Sequence, residues 1–219
     1  MKHKPFIPLL LMVTFTTIFL PVNGYSFINN NGIGEGYDEG SDGRESSSKS
    51  IEAYVTEGAY YYLGANADIQ RLLQMIEFQD TRGIDYPAMQ KIVTSAVDNM
   101  LKAEKTYEKL IQKAESTPYK QDVILKLRDF DYEEFIQEHG LNRVVFAVVR
   151  EKLQSGDITG ILKHTYNDFL KITDLLQEIN RSVSNNQLPG LSLSWELNET
   201  LANSSLIGSY TARIFSEIL

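Results

Sequence analysis

The chain has 219 residues and no cysteine. That excludes disulfides, thiolate catalysis, c-type haem attachment and the lipid-bearing cysteine of a bacterial lipoprotein. Histidine is almost as scarce, with three in the whole sequence. Neither His139 nor His164 has a glutamate three residues before it, so the paired Glu-x-x-His motifs of a di-iron carboxylate bundle are missing, as are the usual zinc ligand sets. No G-x-S-x-G sequence presents a serine nucleophile. Positive charge is in deficit: 21 Lys and Arg face 29 Asp and Glu, for a formal charge of −8. Such a balance repels phosphate backbones, so no nucleic-acid partner is expected. Long apolar runs are also wanting. The longest, over 6–20, is interrupted by Pro8 and three threonines and falls short of the roughly 20 residues a membrane span needs. No membrane span is expected in the mature chain.

What is present begins with that same N-terminus. Lys2 and Lys4 form a basic region, 6–20 an apolar one, and Val22, Asn23 and Gly24 precede a plausible cut at Tyr25, which together read as an export signal. Its removal takes the formal charge from −8 to about −10. Exported eukaryotic domains lean on disulfides, so a cysteine-free exported chain points to a bacterial periplasmic or secreted protein. Asn180, Asn198 and Asn203 open glycosylation sequons that matter only in a eukaryotic host.

Residues 25–50 are rich in Gly, Ser, Asn and acid. They hold too little apolar surface to offset the entropy of ordering, and read as a flexible leader. Within it, 32–36 lacks both the strand and the spacing of a dinucleotide-binding loop. Asp38, Asp42 and Gly43 match part of a calcium loop, but Gly40 and Lys49 stand where ligands are required. The division is thus 1–24 signal peptide, 25–50 leader and 51–219 helical domain. With 42% hydrophobic residues the chain is ample for one core.

Three stretches carry apolar residues at alternating steps of four and three, the seam of a bundle helix. They are Ile51, Val55, Gly58, Tyr62, Ala65, Ile69, Leu72 and Ile76; then Met89, Val93, Ala96, Met100, Ala103, Tyr107, Leu110 and Ala114; then Ile158, Leu162, Thr165, Phe169, Ile172, Leu176, Ile179 and Val183. Helices are predicted over 51–80, 87–114 and 157–183, and a fourth over 194–219 whose seam passes through Ser204, Gly208 and Thr211. Pro87 suits a first turn. Between the second and third, shorter segments over 120–127, 131–139 and 142–154 read as a crossover. There Asp131 and Glu134 form a capping box, and Val144 to Val149 are apolar enough to predict burial on more than one side. The fold class is all-α: an antiparallel four-helix bundle of long, coiled-coil-like helices with a short-helix crossover.

Function is read from these elements. Without catalytic groups or a cofactor motif, the expectation is a non-enzymatic binding or interaction protein with a protein partner. The alternative is a small-ligand or sensing bundle, its pocket formed in the middle layers by Tyr62, Tyr107, Thr165, Ser204 and Thr211. A third reading is a metal-dependent enzyme around His164 and Asp168, one turn apart at the border of the buried face. No cofactor is assigned.

Overall fold

In the computed structural model, residues 49–77, 83–117 and 121–218 are described. The predicted signal peptide and all of the leader but Lys49 and Ser50 lie outside them. Among the described residues all regular structure is helical: α1 (Ile51–Glu77), α2 (Tyr86–Glu115), α3 (Gln121–Asp129), α4 (Tyr132–His139), α5 (Arg143–Gln154), α6 (Ile158–Ser184) and α7 (Leu191–Ile218). None of these helices is long and apolar enough to cross a membrane.

Local chemistry sets the boundaries. The Asp85 carboxylate accepts from Ala88 N at 2.9 Å, with Pro87 in the first turn, and so opens α2. Asp131 accepts from the amides of Glu133 and Glu134 to open α4. Asn142 and Asp157 do the same for α5 and α6. Each satisfies N–H groups that a helix start leaves unpaired. Gly140 closes α4 at φ 58°, a left-handed conformation that glycine adopts without strain. The last helix begins three residues earlier than the seam implied, because Gly190 O takes the amides of Leu193 and Ser194.

α2 and α6 run antiparallel, and polar pairs also join α1 to α2 and α6 to α7. Asp68 meets Ser95 between α1 and α2, at 2.7 Å. Between α2 and α6, Gln90 meets Asn180 at 2.5 Å, Glu104 bonds Thr173, and Glu115 pairs with Lys163 at 2.6 Å. Lys171 pairs with Glu196 at 2.9 Å between α6 and α7. All eight seam positions in each of α1, α2 and α6 are buried.

Two apolar clusters result. The larger gathers α1, α2, most of α6 and, from α7, Leu197, Leu201 and Ala212. The smaller gathers α3, α4, α5, the start of α6 and the second half of α7, around Phe135, Phe146 and Ile214. The apolar run on α5 departs from expectation. Val145, Phe146 and Val149 are buried while Val144 is 81% exposed, because α5 lies on the surface of the second cluster and covers it with one face only.

Candidate functional site

Three places collect the residues singled out by the sequence, or by exposure. The first lies within the larger core. Tyr62 on α1 stacks on Phe169 of α6 with ring centroids 5.0 Å apart, and Tyr107 on α2 meets the same ring edge-on at 4.7 Å. The seam glycine makes room for this: a Cβ on Gly58 would fall 2.9 Å from the Tyr107 ring. Tyr62 Oη contacts Ser205 Oγ at 3.0 Å and donates toward Leu201 O at 3.5 Å, which ties α1 to α7. Burial pushes the Tyr62 phenol up to about 12 and raises that of Tyr107 as well. Both hydroxyls therefore stay protonated at neutral pH.

Of the other residues assigned to this region, Thr165 and Ser204 are fully buried, and their hydroxyls lack a hydrogen-bond partner among the described residues. Ser204 lies near the Tyr62 hydroxyl without reaching hydrogen-bond geometry. Thr211 stands apart, its hydroxyl bonded to Ile207 O of its own helix at 2.8 Å. The structure thus brings Tyr62, Tyr107 and Ser204 together, with Phe169 between the two tyrosine rings.

The second place is a cleft of about 200 Å³ between α5, α6 and α7. Its apolar lining comes from Val144, Val145, Val148 and Ile207, its polar lining from His164, Asp168, Lys171, Thr200 and Asn203. His164 Nε2 lies 3.9 Å from Asp168 Oδ2, too far for a hydrogen bond. Asp168 Oδ2 is buried with no hydrogen-bond partner among the described residues. Burial raises the pKa of this carboxyl, against the opposing pull of His164 and Lys171. His139, the other helical histidine, is elsewhere, with Nδ1 at 3.1 Å from Phe135 O and Nε2 at 3.7 Å from Glu217. Among the described residues, no group of three or more His, Cys, Asp or Glu side chains gathers to hold a metal ion. Asp168 and His164 supply two ligands where zinc sites use three or four from the protein.

The third place went unread in the sequence. A groove of about 850 Å³ runs between the end of α1 and the start of α7, lined by Gln70, Leu73, Gln74, Ile76, Glu77, Leu191, Ser194, Trp195 and Asn198. Trp195, the only tryptophan, is 65% exposed, and Leu191 is 79% exposed. The signal for it was available. Trp195 falls one position off the seam that Ser194, Leu197 and Leu201 define, so the largest apolar side chain in the sequence had no place in the core.

Compared with protein-family models, curated proteins and solved structures, the chain finds no match in any of the three. Its class rests on its own helices: an all-α protein.

Proposed function

We propose that this is an exported, non-enzymatic binding protein of the bacterial periplasm or exterior, and that its α1/α7 groove takes up a protein partner. In this reading the four long helices form an antiparallel four-helix bundle, with α3 to α5 as its crossover. One observation carries the proposal: the only tryptophan and a leucine stand exposed on the same groove. Adjacent exposed apolar side chains mark interaction surfaces far more often than isolated ones, and tryptophan is the residue most enriched where binding energy concentrates.

The groove also indicates the partner's chemistry. Among the described residues its sole charged lining residue is Glu77, and the remaining polar ones are amides and a serine. An apolar segment flanked by Lys or Arg, such as one face of an amphipathic helix, suits that lining. The overall acidity of the chain favours the same sign by steering.

The test uses Trp195 as its own reporter. The chain beginning at Tyr25 is titrated with a basic amphipathic helical peptide and with an acidic peptide of the same apolar face. The basic peptide should shift Trp195 emission to the blue and saturate, with the effect lost in Leu191→Ser. Equal response to both peptides, or response to neither, overturns the reading. A response that appears only after residues 25–50 are deleted assigns the groove to the leader and overturns it too.

A further inference from the structure

The cleft between α5, α6 and α7 poses a problem of unbalanced charge. Asp168 has 20% of its side chain exposed, and its Oδ2 is buried without a hydrogen bond. His164 and Lys171 offset its charge only in part. His164 stands at 3.9 Å, and the Lys171 ammonium is already engaged with Glu196 on α7 at 2.9 Å. A carboxylate partly withdrawn from water gains from a further cation at its exposed edge.

The remaining polar lining is of matching character. Thr200 donates its hydroxyl proton to Glu196 O at 2.8 Å, so what its oxygen still offers is acceptor lone pairs. Asn203 also lines the cleft, and its side-chain amide includes an acceptor oxygen. Asp168, Thr200 and Asn203 therefore supply three acceptors, the number a primary ammonium can satisfy with its three N–H groups. An anion would face a carboxylate, and the Lys171 ammonium is already paired with Glu196. The lining from Val145, Val148 and Ile207 is apolar and suits a short hydrocarbon body. At about 200 Å³ the space is smaller than the roughly 300 Å³ at which pockets for drug-sized ligands begin.

We propose that this cleft is a binding site for a small primary alkylammonium ion, its charged end on Asp168, Thr200 and Asn203 and its apolar end against Val145, Val148 and Ile207. The site is independent of the α1/α7 groove.

Three probes of equal length but different heads decide the matter: n-butylammonium, butan-1-ol and n-butyrate, each titrated into the chain beginning at Tyr25 and followed through its methyl NMR signals. Butylammonium should perturb Val145, Val148 and Ile207 saturably in the millimolar range. In Asp168→Asn, checked for folding by its circular dichroism melt, the affinity should drop at least tenfold. Thr200→Val should weaken binding as well, through loss of an acceptor at unchanged shape. Equal binding of butanol or butyrate overturns the proposal, as do unchanged affinity in Asp168→Asn and the absence of any saturable shift. Zinc perturbing His164 and Asp168 where butylammonium does not would assign the cleft to a metal and overturn it as well.

Discussion

Gly58 and the ring of Tyr107 divide one space between α1 and α2, since a Cβ at Gly58 would stand 2.9 Å from both Cδ2 and Cε2 of that ring. The ring cannot swing clear easily, because Phe169 holds its other side at a centroid distance of 4.7 Å. Two opposed effects then act on Gly58→Ala. Alanine gains about 1 kcal/mol of helix propensity, while overpacking a core costs about 1–3 kcal/mol. The clash should win, and urea denaturation should show a net loss of stability. Pairing it with Tyr107→Leu should recover part of the loss, whereas Tyr107→Phe, which keeps the ring, should not.

Tyr62→Phe removes one hydroxyl and leaves the stacking on Phe169 in place. Ser205 keeps its own bond to Leu201 O at 2.9 Å, so no donor is stranded. The cost should be about 1 kcal/mol, the net value of one hydrogen bond. Phe169→Ala, by contrast, takes away the ring on which both tyrosines rest and should cost about 3–5 kcal/mol. A comparison of the two by chemical denaturation checks whether the ring or the hydroxyl holds this layer together.

The seams of α1, α2 and α6 were legible in the sequence because a repeat of 3.5 residues keeps one stripe facing inward, whatever helix lies opposite. What lies opposite was not. That Phe169 stands between Tyr62 and Tyr107 depends on the axial register of three helices, which no single periodicity contains. The α5 run from Val144 to Val149 misled for a related reason. Composition says that a segment is apolar, but not how many neighbours it has. The His164 and Asp168 pair was visible as a border position, yet Thr200 and Asn203, which line the same cleft, lie on a helix whose register to α6 the sequence leaves open.

Burial raises the Asp168 carboxyl above its ordinary value of 3.8. The folded protein therefore takes up this proton more readily than the unfolded chain, so the ionised form costs stability. That cost is absent below the unfolded value, grows as pH rises through the window up to the raised folded one, and is complete above it. Asp168→Asn should raise the melting temperature at neutral pH. The gap to the parent should close as pH falls toward 3.8. A pH-independent gap would mean that packing, and not charge, sets the difference.

Trp195 should report a water-facing environment in the free protein, with red-shifted emission and ready quenching by acrylamide. At 65% exposure it holds little of the fold together. Trp195→Ala should leave stability within about 0.5 kcal/mol of the parent, a separation of binding from folding that denaturation and peptide titration measure side by side.

The last helix belongs to both apolar clusters, with Leu197 and Leu201 in one and Ile207, Tyr210, Ile214 and Phe215 in the other. Among the described helices α7 comes last in the chain, so neither cluster holds its full set of residues until that helix is made. For a chain bound for export, as proposed, that order of events is an advantage: neither cluster is complete before α7 arrives.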